Sequence, residues 1–582
     1  MPSTRLLNQA SGALAGTLFM LVACNSIVGL DKLQVTGLSA DSAGSGDGGR
    51  LNTEGGSSGK AGTLETGGGS GVLEAAQAGE GGAGGETMPS GDCTTNQECT
   101  DRLSEAALGD AGSAGNSVVA AACIKSPIPH CVKLLSEDCG AITGDYKDDR
   151  AIFLGSLFST KGATAATNLP RQQSAELAIE QINAVGGVPG GSTSAHPRPL
   201  VMVSCDESTN LVRAATHLVA DLHVPAIVGP NTSQDTLDVS TNVTVPGGTV
   251  VMSPTGVASS IAALSDNDLT WLMVPSDVQR APLMIDQIGV LETTLKADRA
   301  KQSINLGIVF RNDALGIGTR TSLNDLKING QSLANADNLN NHVQIDPYNG
   351  ADADLHALIT KYLSFLPDIV VMAGTAEAIT VMGLLEAQWP TGVDRPHYVL
   401  IDSTKVPELL TAVTNNDDLR HRVRGTGITP GPSGKDTPAD TFNGFQVDYN
   451  VRFGTSATFS GMGPAHDAAY AIGLALAATR TEPVSGASIA QGLRKLAGGA
   501  SKLTATGTNV LPAFQKLGAG EKITAVGTFG MLDWDANGAV QGGTLEMWCI
   551  GGPTNKPAYA SSGLLFDIKT QTKSGNYVQC TP

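Results

Sequence analysis

A chain of 582 residues is longer than one hydrophobic core organises, so two or three compact units are expected. A net charge of −18 excludes nucleic acid as the main partner, because a phosphate backbone attracts Lys and Arg, and it implies a soluble, weakly membrane-attracted surface. Aromatic residues are only 4% of the chain, so a site lined by stacked rings would have to concentrate the few present.

The N-terminus carries one basic residue, Arg5, then an apolar run over Ala13–Ala23 ending in small residues before Cys24. This predicts a signal peptide over residues 1–23, too short and wrongly flanked for a spanning helix. The tetrapeptide Leu21-Val22-Ala23-Cys24 resembles a bacterial lipobox, which makes Cys24 the lipidated first residue of the mature chain. The competing reading is an ordinary export signal with an incidental Cys. Asn25 stands where Asp favours inner-membrane retention in Gram-negative lipoproteins, so the resemblance places the anchor in the outer membrane. No later run is apolar and long enough to span a bilayer. Residues 24–91 are rich in Gly, Ser, Ala and Glu, as in GGSSGKAGTLETGGGSG. Such a composition buries too little apolar surface to offset chain entropy and predicts a flexible tether.

Eight cysteines follow Cys24, an even set that an exported protein converts to disulfides. Cys93, Cys99, Cys123, Cys131 and Cys139 cluster in 92–147, which reads as a small stapled module. With five there, one pairs outside the module, and Cys205 is the remaining candidate. Cys549 and Cys580 form a plausible C-terminal pair. No Cys-x2-Cys spacing supports zinc, so no metal is expected.

From about Asp148, short apolar runs alternate with amphipathic helical patterns. The predicted strands are Ile152–Phe158, Leu200–Cys205, Ala226–Gly229, Val250–Ser253, Asn305–Phe310, Asp368–Gly374 and His397–Asp402. The predicted helices are Arg171–Ala184, Leu211–Leu222, Leu355–Phe365 and Glu377–Gln388, with another around Ala281–Leu295. Pro170 suits a helix start, and Gly186 with Gly187 suits a left-handed stop. Strand–helix alternation means parallel sheets with right-handed crossovers. The strands fall in two series, so the fold class is α/β with two lobes and a cleft between them.

The order of these pieces carries a resemblance. The helix ending EQINAVGG, the strand VMVSCDES, the segment LVRAATHLVADLHVPAIVGPNTSQ and the turn VVMSPT come first. After them come LGIVFRNDALGIG, PDIVVMAGTAEA, FNGFQVDYNVRFG, AHDAAYAIGLALAATR and the hairpin MLDWDANGAV. Together, over about Ala151–Ile550, they resemble the type I periplasmic binding proteins, in their branched-chain amino acid-binding (leucine/isoleucine/valine-type) branch. The resemblance implies two Rossmann-like lobes joined by a three-crossover hinge, with lobe 1 over 148–289 and 433–525 and lobe 2 over 290–432 and 526–582. Ligands of open parallel sheets sit beyond the carboxyl ends of the strands, and a ligand touching both lobes stabilises the closed state.

The resemblance also implies the site. Ser159 follows the first strand, and Asn231, Thr232 and Ser233 form the loop after Gly229-Pro230. Ser233 aligns with the family's carboxylate-binding Ser, whereas a local reading makes Thr232 or Ser233 a helix cap. Thr255 aligns with a carbonyl that receives an ammonium group, and Val257 replaces a usual hydroxyl. In lobe 2 the loop residues are Asp313, Leu315 (in place of an aromatic), Thr375, Asp402 and Ser403. Asp402 suits a ligand ammonium or, locally, a cap for a helix near Val406. Losing a buried donor to a charged ligand costs about 1.5–3 kcal/mol, so the departures separate fold from amino-acid specificity.

No phosphate-binding Gly-rich loop, H-E-x-x-H, G-x-S-x-G or C-x-x-C motif occurs. His466-Asp467 reads as a helix start, and Asp533 with Asp535 as turn chemistry. The expected function is therefore non-enzymatic and without a cofactor: capture of an amino acid or a related polar or carboxylate solute for an ABC permease. The alternatives are an outer-membrane lipoprotein that uses the fold to bind an envelope protein, as peptidoglycan-synthase activators do, and a ligand-sensing subunit.

Overall fold

The computed structural model describes residues 93–110, 118–191, 196–350, 352–457 and 460–581. The expected signal peptide, Cys24 and the tether lie outside the described residues. No described helix is long and apolar enough to cross a membrane.

The described part begins with helix Asn96–Asp110 and an antiparallel hairpin, Ala121–Ile124 with His130–Lys133, in which Cys123 faces Cys131. Two disulfides, Cys93–Cys123 and Cys99–Cys131, staple the helix to the hairpin. The sulfurs of Cys93, Cys99 and Cys131 lie within 4.8 Å of one another. All three are in disulfides, which leaves no thiolate to bind a metal. Asn96 ties the hairpin to the segment around Tyr146: its side chain donates to Tyr146 O at 3.0 Å and accepts from Cys123 N at 2.9 Å.

Strand Cys139–Thr143, expected inside the stapled module, instead joins the first large sheet as an antiparallel edge. Cys139 faces Cys205 there, and the two form a disulfide. The six-stranded sheet runs Cys139–Thr143, Leu200–Asp206, Ile152–Phe158, Ala226–Val228, Val250–Ser253, Thr270–Leu272. All neighbours after the edge strand are parallel. One face is covered by helices Ala165–Ala184 and Met462–Thr479, the other by Leu211–Thr216. Helix Ala165–Ala184 starts six residues before the predicted Arg171, so Pro170 lies inside it rather than at its start. Gly186 and Gly187 stop the helix at φ +99° and +91°, and Gly187 N donates to Ile182 O at 3.1 Å.

The second sheet has eight strands: Val343–Tyr348, Leu306–Arg311, Ile369–Ala373, His397–Leu400, Val423–Thr429, then Thr544–Gly551, Ala558–Asp567 and Thr572–Ser574. The first five are parallel and the last three antiparallel. Cys549 and Cys580 are disulfide-bonded.

The chain crosses between the sheets three times, but two crossings differ from the sequence boundaries. Helix Asp277–Asp298 was expected to remain with lobe 1 as far as residue 289. Its buried face (Met284, Ile288, Leu291, Leu295) packs with Leu306, Ile308 and Val371, so the first crossing falls near Ser276, the residue that caps this helix. At the other end, residues 526–540 belong to lobe 1. Leu532, Trp534 and Val540 join its core, Trp534 Nε1 donates to Leu272 O at 2.8 Å, and Leu272 N donates to Gly538 O at 2.9 Å. The tight turn at Asn537-Gly538 thus extends the edge of the first sheet, and the chain crosses only before Thr544.

Candidate functional site

The carboxyl ends of the parallel strands in both sheets carry the residues that sequence analysis singled out. In lobe 1, Gly229 has φ +102°, and a Cβ there would stand 2.1 Å from Leu157 O. Only glycine allows this loop to lie on the first strand, and that presents Asn231–Ser233 beside Ser159. Thr232 caps helix Ser233–Val239, accepting from Asp235 N at 3.1 Å. The Ser233 hydroxyl is buried and accepts from Val257 N at 3.0 Å and Ala258 N at 3.2 Å. It therefore braces the neighbouring loop through its oxygen, and its own O–H remains a donor.

Asn231 and Thr255 belong to a continuous polar chain. Asn168 Oδ1 accepts from Arg171 at 2.8 Å and from Asn231 at 3.1 Å. Asn231 Oδ1 in turn accepts from the Thr255 hydroxyl at 2.8 Å. Arg171 also donates to Ser460 O at 2.7 Å. Gly461, next in sequence, has no room for a Cβ, which would fall 2.5 Å from Thr255 and 2.8 Å from Arg171. Ser159 donates to Glu207 at 3.1 Å, while the second Glu207 oxygen is buried without a hydrogen-bond partner. Burial pushes the Glu207 carboxyl up to about 8, with the nearby Asp235 carboxylate adding to the rise.

Lobe 2 contributes two separate groupings. Asp313 caps helix Ala314–Ser322 by accepting from Gly316 N at 3.0 Å, and Arg311 holds it at 2.6 Å. Arg311 also reaches the Thr375 hydroxyl at 3.1 Å, and Thr375 N donates to Glu377 at 2.8 Å. Thr375 and Asp313 are thus partners in a network of the lobe itself. The second grouping holds Asp402 and Ser403. Ser403 donates to Gly374 O at 2.7 Å. Asp402 does not cap the helix Pro407–Val413, whose cap position is Val406. Its carboxylate forms an ion pair with Arg280, from the first turn of the helix at the first crossing.

Arg280 is 5% exposed, donates Nε to Pro275 O at 2.7 Å, and has no hydrogen-bond partner at Nη2. Burial lowers the Arg171 guanidinium to about 10, against the opposing charges of Asp402 and Glu207. Asp402 of lobe 2 therefore acts electrostatically on Arg171 of lobe 1. Arg171, Glu207, Arg280 and Asp402 form a cluster of buried or half-buried charges spanning both sheet edges. None of the first three was singled out in the sequence. Glu207 was visible only as the acidic end of VMVSCDES, and the two arginines lie on helices, whose contribution to a strand-end site is set by tertiary packing.

The lobes also touch through a hydrogen bond. Ala314 N donates to Gln234 Oε1 at 3.3 Å across them. Val257 and Leu315, which stand where a hydroxyl and an aromatic were anticipated, belong to one apolar cluster. A cavity of about 570 Å3 lies elsewhere, at the amino end of the first sheet near Pro199, and its wall includes the Glu180–Arg452 pair, joined at 2.6 and 2.8 Å.

No family model matches the chain, and no curated protein sequence does. Solved structures do. The leucine-binding protein LivK from Thermotoga maritima is 13% identical with a TM-score of 0.50, covering 70% of this chain and 98% of that one. The substrate-binding protein LivJ from Streptococcus pneumoniae, in complex with isoleucine, is 17% identical with a TM-score of 0.49, covering 71% and 99%. A solute-binding protein from R. palustris, in complex with 4-hydroxybenzoate, is 11% identical with a TM-score of 0.49, covering 71% and 96%. The parallel strand order of both sheets, the three crossings and the likeness to the Thermotoga protein together give this chain the fold of the type I periplasmic binding proteins.

Proposed function

We propose that the protein is an extracytoplasmic solute-binding protein, held to the membrane by a lipid on Cys24, that captures a small polar or carboxylate solute between its lobes for an ABC permease. The observation that supports this most is the cluster of Arg171, Glu207, Arg280 and Asp402 at the facing sheet edges. Buried charge of this kind is costly to keep and is concentrated at functional sites. Binding suits the cluster better than catalysis. Glu207 retains its proton at neutral pH, so it is no general base for the Ser159 hydroxyl that it accepts from.

The reading is tested by melting the purified protein against amino acids, amides and small carboxylic acids. A ligand present at a thousand times its Kd stabilises by about 4 kcal/mol, which raises Tm by several degrees. A clear shift from one chemical class is expected. The second reading, a lipoprotein whose two lobes serve as a protein-binding surface, draws on the apolar cluster that Val257 and Leu315 share across the lobes. It predicts a flat panel from folded protein that carries no co-purified ligand.

A further inference from the structure

We infer that helix Ala314–Ser322 is a latch: it docks on lobe 1 and holds the two lobes together by contacts that need no solute to bridge them. The inference goes beyond solute capture, and its test uses no solute, so it stands or falls apart from that reading. The helix belongs to lobe 2, where it follows strand Leu306–Arg311 of the second sheet. It nevertheless packs on two helices of lobe 1, Ser233–Val239 and Ser259–Ala262. Ala314 shares an apolar cluster with Leu237, Ala258, Ile261, Leu264 and Leu272, all of lobe 1, and its N–H donates to Gln234 Oε1 at 3.3 Å.

Gly318, near the middle of the helix, shows how close the approach is. A Cβ there would stand 3.5 Å from the Cα of Ala258 and 2.0 Å from Oδ2 of Asp277. That carboxylate has little freedom to move aside. Asp277 is buried, its Oδ1 accepts from Val278 N at 2.7 Å, and its Oδ2 accepts from Ser259 N at 3.3 Å. Its own N–H donates to Val257 O at 2.8 Å. Asp277 thus ties the start of the crossing helix to the lobe-1 loop of residues 257–259, and Gly318 lies against both. Glycine is a poor residue for a helix interior, where alanine is preferred. The three atoms nearest the Gly318 Cβ position belong to Asp277 and Ala258, so the need for glycine arises at the boundary between the lobes. Gly316, by contrast, is required by its own lobe: a Cβ there would stand 2.0 Å from Arg311 O. Protein meets protein at each of these boundary points, so they favour the closed arrangement by themselves. A solute then adds to closure through its own differential affinity.

The test is single-molecule energy transfer in the full chain, shown by mass spectrometry to carry no small molecule. The dyes are carried by non-natural residues in place of Val212 in lobe 1 and Leu339 in lobe 2, both exposed. The parent is expected to show one dominant short-distance population. Gly318→Leu puts a side chain where Ala258 and Asp277 stand, and is expected to shift the closed-to-open ratio about ten-fold or more toward the longer distance. Gly318→Ala combined with Gln234→Ala is a milder second variant should leucine disturb folding. Ile317→Gln, on the exposed side of the same helix, is expected to leave the distribution unchanged. A parent that is mostly open overturns the inference, as does a folded Gly318 variant with the parent's distribution. An equal shift with Ile317→Gln overturns it too, because the effect would then belong to the helix and not to its docked face.

Discussion

Glu207→Gln is expected to remove a fall in stability that the parent protein shows as pH rises from about 5 to 8. The buried carboxyl keeps its proton up to about pH 8, against an ordinary value of 4.5. Between those values the folded protein binds a proton that the unfolded chain has released, so stability declines with rising pH. The contribution is complete below the unfolded value and is gone once pH passes the folded one. At about 1.4 kcal/mol per pH unit, the loss from pH 5 to 8 is on the order of 4 kcal/mol. Glutamine still accepts from Ser159 but has no proton to lose, so its curve should lie flatter by that amount. Urea denaturation of both proteins at pH 5, 6.5 and 8 measures the difference. Parallel curves would show that Glu207 ionises in the folded state over this pH range.

Trp548→Ala is expected to cost about 3–5 kcal/mol, the range for removing a large buried aromatic. Trp548 is fully buried and lies against the glycines of strand Val423–Thr429. A Cβ on Gly425 would stand 2.1 Å from its ring, and one on Gly427 3.1 Å from it. Its indole N–H donates to Thr426 O at 2.8 Å, and Tyr559 meets it edge-on at 5.3 Å between centroids. Gly427 also neighbours the Asp402 side chain, so the tryptophan supports the lobe-2 edge of the cleft from beneath. Trp548→Phe keeps most of the apolar contact but lacks the indole donor, and should lose less. A fall in the urea midpoint at unchanged slope is the expected signature. A loss of under about 1.5 kcal/mol for alanine would mean that the glycine strand collapses onto the space and that the supporting role is wrong.

The strands legible in the sequence were those whose residues are mostly apolar and uncharged. Ile152–Phe158 and Val250–Ser253 were placed on their observed residues, and Ile369–Ala373 within one residue at each end. Such strands are buried on both faces and read as unbroken apolar runs. Those missed lack that signal. Val423–Thr429 contains Arg424 and two glycines that make room for Trp548, and Val343–Tyr348 is interrupted by Gln344, Asp346 and Pro347. Helix Asp277–Asp298 was recognised, but periodicity shows that a helix has an apolar face and not which sheet covers it, so the first crossing was misplaced. The same limit hid the charges of the site. The resemblance implied Ser159, Asn231, Thr255 and Asp402 as loop residues, whereas Arg171 and Arg280 arrive from helices through contacts far apart in sequence. Ser233 lies in the loop after Gly229-Pro230, and its oxygen accepts from the backbone of residues 257 and 258, a contact between loops that no local pattern encodes.

Capture between two lobes makes a claim about both sheet edges at once, and hydrogen–deuterium exchange with and without the strongest-binding small carboxylate measures it most directly. The account predicts slower exchange in the lobe-1 loop of residues 229–236 and, together with it, in the lobe-2 loops of residues 311–316 and 401–406. Protection confined to one lobe, or no change at either edge with the protein folded and the carboxylate at saturating concentration, would contradict it.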